Sequence, residues 1–429
     1  MPSTSRAAGQ PPRDERLRPR LAQDEASIVC ERDGARSLYT VRRGPEALGF
    51  IAIDSTVAGR ARGGLRMVAD VTAGELRAAA RTMTLKYGFL GLPQGGAKAG
   101  ILADGEGAVE GKRERLYEFA RAAATLLRDR SFTPDADLGT SADDIRWMMR
   151  SIGLRVGPRE WRHNRSGHYA AVSCLAAGRA VRERLGASLS GCRVAIEGFG
   201  KVGSALAALL HGHGARVVAV STARGAIYQP RGLDVERLLQ LATEAGSAVV
   251  ERYPGAERLD RGALLELPVD MLCPCARYHS IHVENAKRVA ARVVCAGAND
   301  PVEPEAEAIL YRRGVVYPPD FVTNCGGVLG GTLEFAGVPG RRIVSLIERH
   351  TARSVAALLE RADREAVLPR AVAEPVALAR HERVQFAAAH PRLRDRALAL
   401  GLEWYRRGWL PKSLVASIAP RYLETRLCP

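Results

Sequence analysis

The sequence predicts an α/β protein of two domains, followed by a helical C-terminal segment that returns to the first. Three observations carry this. The chain has 429 residues, 46% apolar and 26% charged, enough for two hydrophobic cores. Short apolar runs alternate with helix-period segments through residues 37–325. Within them a buried strand at about 192–197 runs into Gly198-Phe199-Gly200-Lys201-Val202-Gly203. A helix then extends to His213, Gly214 closes it, and a second strand spans about 215–221.

The first domain opens with strands over 37–53. Thr72-x-x-Glu75 reads as a capping box for a helix ending near Tyr87, where Gly88, Gly91 and Pro93 stop it. A second helix is expected over 113–129. The acidic turn Asp135-Ala136-Asp137-Leu138-Gly139-Thr140 then leads to a helix around Ile145. Residues 157–167, rich in Pro, Arg, His and Gly, mark a hinge. After the glycine motif, strands are expected at 269–274, 293–298 and 312–317. Helices follow at 329–335, 343–362, 371–379 and 392–404. The divisions are an extension over 1–22, a first domain over 23–160, a second over 161–325 and a helical segment over 326–429.

Strand–GxGxxG–helix–strand in this order is the signature of a dinucleotide-binding fold. The glycines permit a tight turn and bring pyrophosphate onto a helix N-terminus, whose N–H groups and dipole favour anions. An NAD site expects a carboxylate at the end of the second strand. Ser221, Thr222, Ala223 and Arg224 stand there instead, which favours the extra phosphate of NADP over NAD; against this, Arg224 is one of 57 arginines.

Only six of the 63 cationic residues are lysine, and two of these, Lys86 and Lys98, bracket Gly91-Leu92-Pro93-Gln94-Gly95-Gly96-Ala97. Arginine does not lose its proton in a protein, whereas a buried lysine amine can, and so can act as a base. Two lysines in one short segment of an arginine-rich chain point to a need for an amine, with coincidence as the plain alternative.

The net charge of +16 is spread along the chain, with Asp and Glu interleaved and no nucleic-acid motif, so it reads as composition rather than a nucleic-acid surface. No run is long enough to span a membrane. The N-terminal stretch lacks the apolar core of a secretory signal and reads as a disordered extension. Eight cysteines without a CxxC pair read as reduced, buried thiols of a cytoplasmic protein. The pairs His211/His213 and His279/His282 read as non-metal.

Several motifs in order resemble the glutamate/leucine/phenylalanine/valine dehydrogenase superfamily. They are Gly63-Gly64-Leu65-Arg66, Met83-Thr84-Leu85-Lys86, Leu92 through Lys98, Asp137-Leu138-Gly139-Thr140 and Gly198 through Gly203. Pro274-Cys275-Ala276, Gly297-Ala298-Asn299-Asp300-Pro301, Pro319-Asp320 and Asn324-Cys325-Gly326-Gly327-Val328 complete the set. The resemblance implies reversible oxidative deamination of an L-amino acid to a 2-oxo acid and ammonia, with NADP or NAD as hydride acceptor. Lys98 matches the lysine that activates water, Asp137 the carboxylate that exchanges protons with the amine, and Lys86 the lysine that binds the α-carboxylate. Repulsion between the two amines, together with closure of the cleft, is expected to lower the pKa of Lys98 toward neutrality. Arg62, Gly63, Gly64, Met83, Asn324, Val328 and Gly331 fall at substrate positions. Gly198, Phe199, Gly200, Lys201, Val202, Gly203, Thr222, Arg224, Cys275, Ala276 and Asn299 fall at cofactor positions. The first domain is expected to carry oligomerisation as well, and a homo-oligomer, hexamer or octamer, is implied.

Departures bear on the substrate. Arg62 stands where glutamate enzymes carry Lys and branched-chain or aromatic enzymes carry Leu, which favours an acidic side chain. Gly331 replaces a pocket hydroxyl, which favours a larger one. Ala296 replaces a usual Glu, and the threonine expected near His168 to Val172 is missing. These last two departures motivate a second reading, a catalytically weak relative that binds nucleotide or amino acid.

Overall fold

The computed structural model describes residues 26–103, 111–160 and 165–427. The expected extension over 1–22 lies outside the described residues. Two six-stranded sheets organise the chain.

The first sheet contains β1 (Ala26–Asp33), β2 (Arg36–Arg43), β3 (Glu46–Ile53), β4 (Ala61–Val68), β5 (Gly95–Leu102) and β6 (Phe132–Ala136), ordered β1-β2-β3-β5-β4-β6. β1, β2, β3 and β5 run antiparallel in turn, whereas β4 lies parallel to both β5 and β6. β4 alternates strictly. Ala61, Gly63, Leu65 and Met67 are buried, and Arg62, Gly64 and Arg66 are half-buried on the other face. β5 is buried along almost its whole length. Its glycines let the helix Ala73–Phe89 sit directly on it: a Cβ at Gly96 would lie 2.3 Å from the Thr84 nitrogen.

Thr72 caps that helix by accepting from the Glu75 N–H at 3.2 Å. The other half of the expected capping box is not formed, because the Glu75 carboxylate pairs with Arg66 on β4 instead. The helix expected over 113–129 breaks at Ala123 into Lys112–Ala122 and Ala124–Arg128. The acidic turn leaves β6 and enters the helix Ala142–Ser151 through a Ser141/Asp144 capping box.

The helix Ser166–Arg184 leads to the second sheet: β7 (Arg193–Glu197), β8 (Arg216–Thr222), β9 (Gly225–Tyr228), β10 (Glu257–Leu259), β11 (Met271–Pro274) and β12 (Val293–Val294). The order is β10-β9-β8-β7-β11-β12, with β8, β7, β11 and β12 parallel and β9 and β10 antiparallel at one edge. The strand expected over 312–317 is not formed. Residues 304–312 are helical, and only a single bridge joins Val316 to Val293.

Helices Gly326–Phe335, Gly340–Glu365, Pro369–Ala389, Leu393–Arg407 and Lys412–Leu427 complete the chain; β1 and the last helix are absent from the sequence reading. Pro369–Ala389 returns to the first domain and lies along Ala73–Phe89. The contact is tight enough that a Cβ at Gly88 would sit 2.2 Å from the Ala377 carbonyl oxygen. Leu90, Phe321, Leu329 and Ile343 are fully buried in the core that joins these helices to the second sheet. Among the described residues, no helix is long and apolar enough to cross a membrane.

A candidate active site between the two sheets

Lys98 lies within β5, on a strand rather than in the loop before it. Its side chain is 4% exposed and forms an ion pair with Asp137, just beyond β6. Thr140 fixes that aspartate: its hydroxyl donates to the Leu65 carbonyl at 2.7 Å and accepts from the Asp137 N–H at 2.9 Å. The Arg66 Nε donates to Asp137 at 3.4 Å. Gly64 makes the convergence possible. A Cβ there would stand 2.9 Å from Asp137 Oδ2 and 3.0 Å from Lys98 Nζ.

Burial is the main force on these groups. It pushes the Lys98 amine below its ordinary value, with Asp137 opposing and Arg66 adding to the effect. The burial expected from a closed cleft is the leading cause, and the repulsion between the two amines registers on Lys86. Burial by itself would raise the Asp137 carboxyl, but Lys98 and Arg66 hold it well below the usual carboxylate range.

Lys86, in the last turn of its helix, is buried as well and sits at about 8. Burial lowers it most and the Lys98 charge lowers it further, while Asp320 opposes. Its amine donates to the Asn299 side-chain oxygen, from the second sheet's side of the cleft. Asn324 donates to the Ala298 carbonyl at 2.7 Å and to Asn299 Oδ1 at 3.2 Å. The Asn324 Oδ1 is buried with no hydrogen-bond partner. Asn299, read from sequence as a cofactor residue, is therefore aimed at Lys86, with Asn324 holding it.

Met83 is buried one turn before Lys86. Gly63 packs on β5, where a Cβ would collide with the Ala97 carbonyl. Val328 is half-buried, and a Cβ at Gly331 would meet nothing within 4 Å. Arg62 is bidentate to Asp135, Nε to Oδ2 and Nη2 to Oδ1, both at 2.6 Å. Asp135 was missed in the sequence because the partners lie 73 residues apart.

At the glycine motif, Gly198 has φ of +92°, and a Cβ would stand 2.5 Å from that of Ala276. At Gly203 a Cβ would lie 1.9 Å from the Gly198 carbonyl oxygen. These two glycines serve close packing. Gly200, with nothing within 4 Å of its Cβ position, leaves the turn open at the N-terminus of the helix Lys201–Gly212. Phe199 N–H donates to the Ser221 carbonyl at 2.7 Å, joining the turn to β8. Val202 and Cys275 converge on Gly297, whose Cβ position lies 2.9 Å from Val202 Cγ1 and 2.6 Å from Cys275 Sγ. Thr222 donates its hydroxyl to the Ser247 carbonyl, and the exposed Arg224 faces Glu251 at 3.3 Å. The open cradle fits a dinucleotide's pyrophosphate.

Two residues outside the sequence-read set, Glu197 and Ser166, lie beside the glycine turn and beside Gly327. Glu197 is buried beneath the glycine turn, accepts from the Ser280 hydroxyl at 3.2 Å and is raised by burial to about 7. Ser166 opens its helix beside Gly327. Neither carries a signal in local spacing.

A dinucleotide cradle facing a buried lysine–aspartate pair, with a second lysine at the cleft, defines a dehydrogenase of amino acids that uses NAD or NADP. Residues 165–379 match the Glutamate/Leucine/Phenylalanine/Valine dehydrogenase family. Residues 44–153 match its Glu/Leu/Phe/Val dehydrogenase dimerisation domain, and the chain belongs to this family. It is 37% identical over 305 residues to glutamate dehydrogenase of Thermotoga maritima, an overlap of 67% of this chain and 72% of the relative. It is 34% identical over 289 residues to the NADP(+)-dependent glutamate dehydrogenase of Pyrobaculum calidifontis, covering 64% and 69%. The structure of hetero-hexameric glutamate dehydrogenase from Thermus thermophilus superposes with a TM-score of 0.67 at 28% identity, covering 84% of this chain and 87% of that one.

Proposed function

We propose that the chain catalyses reversible oxidative deamination of L-glutamate, with Lys98 and Asp137 as catalytic residues and Lys86 as the α-carboxylate ligand. The observation that carries this reading is the buried Lys98–Asp137 pair beside Gly64. Bound in the cradle, the nicotinamide cofactor supplies the hydride acceptor for Cα. Lys86, with Asn324 and Asn299 behind it, orients the substrate carboxylate. Lys98, its amine depressed by burial, takes a proton from the water that attacks the iminium carbon. Asp137, kept ionised by Arg66 and, once Lys98 has taken its proton, by that ammonium as well, accepts and returns the proton of the departing amine. Exclusion of water strengthens each of these interactions.

NADP is the cofactor we infer. Thr222 supplies no carboxylate for a ribose diol, and the Arg224–Glu251 pair is exposed and weak enough for a phosphate to displace. We infer a homo-oligomer, hexameric by likeness to the Thermus assembly, and the matched dimerisation domain supports assembly. A second reading, a larger or uncharged side chain, is favoured by the open space at Gly331 and the engagement of Arg62 by Asp135.

The test is reduction of NADP+ and NAD+ by a panel of L-amino acids at alkaline pH, with Lys98→Met as control. Turnover with glutamate, lost by roughly 100-fold or more in Lys98→Met, is expected. Cofactor binding without turnover of any amino acid would replace the enzyme reading with that of a binding protein.

A further inference from the structure

The half-buried face of β4 carries Arg62, Gly64 and Arg66. Gly64 marks the reacting end, where Lys98 and Asp137 meet. Arg62 stands two residues away on the same face, roughly 7 Å along the strand. β6 runs beside β4, pairing Gly64 with Asp135. Asp135 and Asp137 follow the same alternation, so both carboxylates lie on this face, Asp135 paired with Arg62 and Asp137 with Lys98. The Arg62 and Asp135 side chains are 40% and 26% exposed, so the pair faces open space that a ligand can reach.

An arginine fork binds a substrate carboxylate through two parallel N–H groups. Here Asp135 takes the Nε and Nη2 edge, leaving Nη1. An incoming carboxylate therefore meets a guanidinium already neutralised, with a like charge beside it. A carboxamide meets no such penalty. Its oxygen can accept from Nη1, and its NH2 can donate to a remaining Asp135 lone pair.

We propose that Asp135 is a specificity-determining residue, one that turns the distal end of the pocket into a paired, net-neutral wall and shifts preference from carboxylate toward carboxamide side chains. The proposal rests on the amino-acid dehydrogenase reading and qualifies its first substrate. Asp135 acts through the Arg62 fork, so its effect requires that arginine.

The test is the ratio of kcat/KM for L-glutamate to that for L-glutamine in the full-length protein, Asp135→Ala, Asp135→Asn and Arg62→Ala/Asp135→Ala. Asp135→Ala is expected to raise the ratio at least tenfold, mainly by lowering the KM for glutamate. Asp135→Asn, which keeps the shape and removes the charge, is expected to move it the same way and guards against misfolding of the alanine variant. The double variant is expected to lose the gain. A ratio unmoved in both single variants, with turnover intact, overturns the proposal and leaves the dehydrogenase reading standing. No turnover of any amino acid in any of the four proteins, with NADPH still bound by fluorescence, overturns that reading and the proposal with it.

Discussion

Lys86 and Lys98 are both buried amines, yet the tasks proposed for them call for opposite protonation states. Lys98 works as a base only when neutral, so lowering its pKa brings the working form toward neutral pH. Lys86 must stay charged to hold a carboxylate, and burial moves its loss of charge down to about 8. In the free enzyme, kcat/KM should therefore fall as pH rises through about 8. Bound carboxylate supplies a counter-charge that raises Lys86, so the fall in kcat should come at higher pH. Pre-steady-state and steady-state pH profiles check this, and Lys86→Arg, whose charge persists throughout, should lose the limb in kcat/KM. If that limb stays in Lys86→Arg, another group causes it. At this scale the two lysines were legible because amines are rare in this chain and two flank one glycine run, and Asp137 was legible through the resemblance of its motif. The long-range partners were not: Lys86 and Asn299 are separated by 213 residues, and nothing local marks either as the other's ligand.

At the scale of elements, the helix Ala73–Phe89 sets the position of Lys86 through glycine contacts on both sides. Gly96 brings it onto β5 and Gly88 brings Pro369–Ala389 onto it. A methyl group at Gly88 must displace the Ala377 carbonyl. Gly88→Ala is therefore expected to cost about 1–3 kcal/mol of stability and to weaken substrate binding more than cofactor binding. Denaturant titration with separate KM values for amino acid and NADP+ measures both. An undisturbed midpoint would show that the helices can part freely. The end of the helix Ala73–Phe89 and the glycine turn followed from local turn chemistry, whereas the helix expected over 371–379 runs on to Ala389. The strand expected at 312–317 did not form, because an apolar run after Gly314 satisfies burial equally well as extended chain with one bridge to β12. The helix Lys412–Leu427 carries Pro420 within it, which obscured its periodicity.

For the whole molecule, the structure shows the two domains in contact across the cleft. Arg277, in the loop after β11, pairs with Asp70, before the helix Ala73–Phe89, at 2.6 Å. Both are more than half exposed, so the pair contributes little to stability and is sensitive to salt. It links the two domains at the surface, where a small bias between open and closed states changes kinetics. Asp70→Asn should raise KM for the amino acid about two- to fivefold with little effect on melting temperature, and should flatten the dependence of KM on ionic strength. Initial rates at low and high KCl test this; an unchanged salt response would show that the pair does not govern closure. The two-domain architecture was legible from the order of motifs, whereas this contact joins residues 207 apart and emerges only once both domains are folded.

The pairing of Lys86 with Asn299 has a further consequence. The amine proposed to hold the substrate already has a resident oxygen in its grasp, supplied by the opposite wall. One of the three ammonium donors is thereby fixed in direction, so the remaining two are aimed by the opposite wall before any acid arrives.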